Sequence, residues 1–262
     1  MNRRRAITAI AATSLALPAA LRVTRVCAAA DEAESLTLAQ VRARLRAMPG
    51  HANFAGARLF RLELDGVDLH GANFKNANLS ESNMRGANLT GASFIGAYLS
   101  ATKFDRSDLR RARFAGATFL TTAEGANFSE ADLSQTSGYL IAPSAIFTHA
   151  NLSGAKLRPD MSNQPMGLLH TIFSQADLTG ANLTGADLGF ANLSSATLVR
   201  ALVRGTSFDQ ADLTRADFRG ADVTGAIFTQ ADIGQADFRH VTGRQAMRGL
   251  ATARNRSDAK FG

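Results

Sequence analysis

Thr171–His240 reads, in fives, TIFSQ ADLTG ANLTG ADLGF ANLSS ATLVR ALVRG TSFDQ ADLTR ADFRG ADVTG AIFTQ ADIGQ ADFRH. The fourteen blocks follow without a slip, opening with Ala in twelve and Thr in two. The third position is always Leu, Phe, Val or Ile, and the second is often Asp or Asn. Internal repetition of this kind governs the whole fold and has to be read first.

A period of five fits neither regular element. On an α-helix, five residues advance about 500°, so the apolar positions would spiral and leave no stripe. On a flat strand an odd period flips the apolar residues from face to face. A corner once per block removes the conflict: positions one and three point inward, one small and one large, and positions four and five turn. Four corners give a twenty-residue coil. In Ala52–Thr121, Phe54, Phe74, Phe94 and Phe114 recur at that interval, as do Leu69, Leu89 and Leu109. Stacking would place Arg61 over Glu81 and alternate Asp65, Arg85 and Asp105. Gly closes seven of the fourteen blocks of this first array. With a Cβ at the other corners, a positive φ throughout is not expected there.

The blocks resemble the pentapeptide-repeat family, whose motif is A(D/N)LXX, over roughly Ala52–His240. The resemblance implies an all-β fold: a right-handed quadrilateral β-helix (solenoid) of about nine to ten coils, with short helical caps at both ends. It says little about function, because fold does not fix function. Quinolone-resistance members mimic duplex DNA and bind DNA gyrase.

Residues 1–30 form an expected signal peptide. They carry five Arg and no acid, so of the formal charge of +7 only +2 belongs to the rest of the chain. Arg3, Arg4 and Arg5 make a basic start, Ala6–Ala20 is Ala-rich and apolar, and Ala28-Ala29-Ala30 offers cleavage between Ala30 and Asp31. Arg4 and Arg5 followed by Ala6-Ile7-Thr8 resemble a twin-arginine signal, without its usual Phe. The expected location is exported and periplasmic, with the membrane touched only in transit. Cys27, the single cysteine, falls in the discarded segment, so no disulfide or thiolate chemistry follows for the mature chain.

Residues 31–50 are expected to be a helical cap. Ser35 or Thr37 is a candidate N-cap, Leu38, Val41, Leu45 and Met48 share helical spacing, and Pro49-Gly50 ends it. Residues 51–240 are the repeat body, irregular within 120–170, where centres fall at Phe128, Leu133, Phe147, Leu152 and Leu157. These near-multiples of five imply one continuous array with deformed corners. Residues 241–262 are a basic cap or tail: Arg244–Arg254 suits a short helix and Asn255–Gly262 a frayed end.

No catalytic, metal-binding or cofactor constellation is present. The five His form no ligand pair, the Asp residues recur because the repeat demands them, and neither GxSxG nor a Walker loop occurs. Lys103, Arg106, Arg110, Arg111 and Arg113 span three blocks and are interrupted by acids, which disfavours a nucleic-acid patch. The expected role is a non-catalytic, exported, rigid scaffold that binds an unidentified protein, with neither substrate nor cofactor; a homodimer is compatible with the sequence. Candidate partner-binding residues lie where corners deform: Tyr139, Leu140, Ile141, Met161, Met166 and His170. The alternative is a gyrase inhibitor or protector, if the N-terminus is not an export signal. In cell fractionation, a tagged chain is expected to be processed in the periplasm and to lose that processing in the Arg4→Lys, Arg5→Lys variant; full-length cytoplasmic protein in both cases would contradict export.

Overall fold

The computed structural model describes residues 35–159 and 169–262. The signal-peptide assignments at Arg4, Arg5, Ala30 and Asp31 lie outside them, as do Met161 and Met166.

The repeat produces stacked tiers. Residues in second block positions pair in parallel across successive tiers, as in Asn53↔Asn73↔Ser93↔Arg113 and Asp177↔Thr197↔Asp217↔Asp237. Four such ladders run through the described chain. The inter-tier bonds are backbone: Phe74 N–H donates to Ser93 O at 2.7 Å, and Asn73 N–H to Ala52 O at 2.9 Å. Between ladders the chain turns. Ala57 N–H donates to Phe54 O at 3.1 Å, with Gly56 at φ 68°, the geometry of a type II turn.

The expected all-β class, right-handed quadrilateral β-helix and solenoid of nine to ten coils are corrected. Among the described residues the strands are only β1 (Tyr98–Lys103), β2 (Thr118–Thr122) and β3 (Ser137–Ile141), one open parallel sheet in the order β1-β2-β3. Elsewhere pairing is by isolated bridges, because a turn in nearly every block of five prevents a strand from growing beyond one bridge. One α-helix, α1 (Leu38–Ala47), is present. It starts at Thr37 in a capping box with Gln40 and buries Val41. The expected C-terminal helix is replaced by two 3-10 turns, Arg244–Ala246 and Arg256–Asp258. The chain must return to bridges at Arg248, Arg254 and Lys260, which leaves room for little more than a turn between them. For the same reason residues 255–262 are not frayed.

The corner expectation is also overturned. Cβ-bearing corner residues such as Arg61, Asn76, Glu81, Ala101 and Arg106 sit in the left-handed region, with φ between 54° and 60°. That conformation costs roughly 1–2 kcal/mol for an L-residue. Inter-tier bonds such as Arg61 N–H to Ser80 O, 3.1 Å, hold it in place. Thr121, by contrast, has no positive φ and lies in β2, where the chain runs straight through the corner.

That straightening accounts for the irregular spacing: Thr118 pairs with Ser137, nineteen residues on, and Asp108 with Asn127. The ladders then cross the inserted segment, with Ile141↔Ile172 and Ile146↔Asp177 thirty-one residues apart. The Thr171 hydroxyl donates to Leu157 O at 2.9 Å and joins the two ends of the insertion.

The core is a set of like-on-like columns. Phe54, Phe74, Phe94 and Phe114 stack at centroid spacings of 5.2, 5.0 and 4.7 Å, with ring planes within 13° of parallel. Small residues fill position one. Where Ser or Thr replaces Ala, the buried hydroxyl donates to a backbone carbonyl, of the tier above for Thr102 to Leu79 O at 3.0 Å, Ser107 to Met84 O at 2.6 Å and Thr206 to Leu183 O at 2.7 Å, and three residues back for Thr136 to Leu133 O at 2.8 Å. Ser82 does the same to Leu59 and also accepts from Leu62 N–H. Among the described residues no buried side-chain polar atom lacks a partner.

Two substitutions test this packing in denaturant melts. Phe94→Ala is expected to cost about 3–5 kcal/mol, and Phe94→Asp to prevent folding of the first array, because it buries an unpaired charge. Parent-like melting of Phe94→Asp would refute the inward Phe column. Gly91 has open space around its missing Cβ, so Gly91→Ala should cost only about 1 kcal/mol for its positive φ. Gly138→Ala should cost clearly more, since the new Cβ would overlap the Phe119 carbonyl.

Candidate partner-binding surface

The second repeat position does the polar work outside. Its Asn or Asp carboxamide or carboxylate accepts the backbone N–H two residues on, as Asn73 does from Lys75 at 3.1 Å and Asp212 from Thr214 at 2.9 Å. The same side chains bond along the ladder, with Asn73 donating to Asn53 at 3.0 Å and Asn88 to Asp68 at 2.9 Å. The Asx turn and this ladder together give Asn and Asp their place in the repeat.

Ion pairs cover much of the remaining surface. Arg61 meets Glu81 at 2.7 Å and Arg85 meets Asp105 at 2.8 Å, both at the expected twenty-residue stacking. Within single blocks Arg110 forks onto Asp108, Arg219 onto Asp217 and Arg239 onto Asp237, each with a 2.6 Å contact. The Arg239 fork holds the Asp237 carboxyl well below its usual range, at about 2. For Asp222 burial alone would raise the pKa, but hydrogen bonds from Thr224 and Arg204 outweigh it and the net shift is downward. Of the basic cluster, Arg110 and Arg111 are paired with Asp108 and Glu130.

The three-stranded sheet breaks this pattern. Alternate residues Leu99, Phe119 and Leu140 point inward and are buried. Outward, Ser100, Leu120 and Tyr139 line up in register, and Thr122 aligns with Ile141. Ile141 in turn bridges to Ile172, and Tyr98 on β1 is 59% exposed. A shallow groove of about 280 Å³ runs between Ser100–Lys103, Leu120–Thr122, Tyr139 and Ile141. A larger depression, about 500 Å³, is instead charged, lined by Asp65, Arg85, Asp105, Arg106 and Glu124.

The family profile for pentapeptide repeats matches eight copies, over residues 52–91, 92–120, 169–200, 191–230 and 206–242. The chain belongs to the pentapeptide-repeat family. The matched copies leave out 121–168, where the tiers are nineteen or thirty-one residues long. No curated protein matches. Among solved structures, the chain is similar to HetL, a pentapeptide-repeat protein involved in heterocyst differentiation regulation in the cyanobacterium Nostoc, with 27% identity over 86% of this chain and 94% of that one and a TM-score of 0.38. It is similar to trypsin-treated QnrB1, a plasmid-mediated fluoroquinolone resistance protein, with 17% identity over 79% and 92% of the two chains and a TM-score of 0.49. A pentapeptide-repeat protein of the Arabidopsis thaliana thylakoid lumen shares 28% identity over 54% and 70%, with a TM-score of 0.21. Pentapeptide-repeat proteins are characteristically non-catalytic. Among the described residues no group of three or more His, Cys, Asp or Glu is placed to hold a metal, and no helix is long and apolar enough to cross a membrane.

The sequence-derived candidates separate in the pentapeptide-repeat structure. Tyr139 and Ile141 are half-buried on the outer face of β3, whereas Leu140 is fully buried and cannot meet a partner. His170 is half-buried at the return from the insertion, beside exposed Leu169. Arg158, where the insertion begins, is already engaged with Asp209 at 3.1 Å and over the Phe190 ring at 4.8 Å. Tyr98 and Leu120 escaped sequence reasoning, although the signal existed: Tyr98 takes a second position that is normally polar, and Leu120 an outward corner position.

The Asp237 fork gives a titration test. A depressed carboxylate pKa adds stability above the unfolded value near 4, and that stability is lost as pH falls from about 4 to about 2. Arg239 lies at the surface, so Arg239→Met should lower stability only slightly at pH 7. The cost should vanish near pH 2, with the NMR-titrated Asp237 pKa moving up toward about 4. A cost independent of pH would contradict the fork.

Proposed function

We propose that this pentapeptide-repeat protein is a non-catalytic scaffold that binds another protein through the outer face of β1-β2-β3, and that it acts in the cell envelope after export. The observation that carries the reading is the apolar strip Leu120, Tyr139, Ile141 and Ile172 with exposed Tyr98 nearby on β1, whereas elsewhere apolar residues such as Phe60 and Leu202 are exposed singly among Asx turns and ion pairs. A half-exposed aromatic and aliphatic cluster beside exposed Tyr98, with a polar surround, has the composition of a protein-binding centre. The complementary partner is a folded protein with an apolar ridge, because both edges of the sheet are already bridged to neighbouring tiers and accept no further strand.

A second reading is a gyrase inhibitor or protector, as in quinolone-resistance members of the family. It is favoured by the composition of residues 171–240, which carry eight Asp and five Arg. A duplex mimic needs acidic columns left free to stand for phosphates. Here Asp217 and Asp237 are bridged neighbours and both are forked by Arg, while Asp212 and Asp232 have no Arg partner among the described residues. Both readings are of non-catalytic protein binders; they differ in partner and face.

A photocrosslinker at position 98 and one at position 139 should give the same adduct in the envelope fraction, lost in a Leu120→Asp variant that melts like the parent. The purified protein should leave gyrase supercoiling unchanged with and without a quinolone. Inhibition or protection that is abolished by Asp212→Lys, Asp232→Lys would establish the second reading and defeat the first.

A further inference from the structure

The chain has sixteen Phe, two Tyr and no Trp. Thirteen of the Phe side chains are buried in the core, and Phe261 continues one of its columns, stacked on Phe238 at 5.2 Å. The four remaining rings, Phe60, Tyr98, Tyr139 and Phe190, are exposed or half-buried, and all four belong to one ladder. It runs Arg58↔Asn78↔Tyr98↔Thr118↔Ser137↔Lys156↔Asp187. Tyr98 is itself a rung; Phe60 and Tyr139 follow Arg58 and Ser137 by two residues, and Phe190 follows Asp187 by three. Counted from Arg58, the outward rings fall on the first, third, fifth and seventh rungs and skip those between. At roughly 4.8 Å per rung, they recur about every 10 Å along the stack, with Tyr98 set across the ladder by roughly 7 Å.

Between the rings the ladder carries hydroxyls. Ser100, Thr118 and Ser137 are half-buried, and their hydroxyls make no hydrogen bond among the described residues. Outward hydroxyls elsewhere, such as Ser129, Ser194 and Thr214, are tied into their own Asx turns. No carboxylate stands on the rungs from Asn78 to Lys156. Arg61 and Arg158 lie over the Phe60 and Phe190 rings at 4.6 and 4.8 Å and steady them, and Phe60 is still 45% exposed.

An aromatic face attracts the C–H face of a pyranose through dispersion and the ring quadrupole. Rings spaced at an even interval, rather than clustered, select a ligand with the same interval. In an extended β-1,4-linked glycan each sugar is turned half a revolution from the last, so the same face returns at every second sugar, which matches two rungs. An extended polypeptide repeats its face about every 7 Å and falls out of step. We infer that this ladder is a track for a neutral, extended β-1,4-linked glycan. Alternate sugars stack on Phe60, Tyr98 and Tyr139, their hydroxyls meet Ser100, Thr118 and Ser137, and Phe190 continues the interval. The track shares Tyr98 and Tyr139 with the proposed protein-binding face, so the two ligands exclude each other there. Phe60 and Phe190 lie outside that face, and the inference does not rest on the protein-binding reading.

With no Trp in the chain and both Tyr in the track, tyrosine fluorescence reports on this site, and calorimetry gives an independent Kd. The probes are cellohexaose and chitohexaose, titrated against the full chain, with α-1,4-linked maltohexaose as the control of unmatched shape. Saturable binding of at least one β-1,4 hexamer is expected, and which one binds tells a 2-hydroxyl from a 2-acetamido sugar. Its Kd should be at least about tenfold below that of its own disaccharide, because each further sugar engages a linked ring, and as far below that of maltohexaose. Phe60→Ala, at an exposed position and melting like the parent, should weaken the hexamer about fivefold or more and leave the trisaccharide within about twofold. Ile172→Ser, on the neighbouring ladder, should leave the glycan Kd unchanged, and Phe60→Ala should leave the envelope adduct at positions 98 and 139 intact, so each reading stands or falls by itself. Absence of binding by both methods, equal binding of maltohexaose, no gain with chain length, or a hexamer Kd indifferent to Phe60→Ala would overturn the inference.

Discussion

Every tier of this protein depends on the backbone groups of the next. The N–H of each inward large residue and the C=O of each small one point along the stack, and a single bridge residue in the adjoining tier satisfies both, as Asn73 does for Phe54 N–H at 2.7 Å and for Ala52 C=O at 2.9 Å. Unpaired, each group would carry the desolvation cost of a buried polar atom, about 1–3 kcal/mol. This requirement explains why corners tolerate Arg61 or Glu81 at positive φ. The local cost of the left-handed conformation is smaller than that of breaking the ladder. It also explains why Ser and Thr are accepted beside Ala, since their hydroxyls find a carbonyl in the tier above.

Much of this was legible because it is periodic. The Phe54–Phe114 column, the small inward residue and the Arg61–Glu81 and Arg85–Asp105 stacking follow from counting alone. Conformation at the corners was not legible from composition. Half of the first array's corners lack Gly, which argues against positive φ only if each corner is judged in isolation from the bonds that hold it. Regular strand content was overestimated for a related reason: pairing recurs every twenty residues, but the turns keep most pairings to one bridge. Strands appear around the corner that Thr121 carries without a positive φ, and β1 runs through the left-handed Ala101 with a register shift between Ser100 and Lys103. The same straightening turned Leu140 inward and left Tyr139 and Ile141 outside, a distinction that the sequence QTSGYLIAPS does not display by itself.

The surface changes where periodicity fails. Regular blocks occupy their polar positions with Asx turns, ladder bonds and Arg–carboxylate forks, so those groups are already engaged. The β1-β2-β3 face differs because it carries Leu120, Tyr139 and Ile141 at outward positions.

The central claim is that the parallel ladders run unbroken through the inserted segment, so that Ile146 and Asp177 face each other although thirty-one residues separate them. Spin labels at Ile146→Cys and Asp177→Cys, in a chain with Cys27→Ser, measure this directly. Adjacent strands lie about 4.8 Å apart, so strong dipolar broadening is predicted in the continuous-wave spectrum. A spectrum equal to the sum of the two singly labelled proteins would contradict it and divide the stack at the insertion.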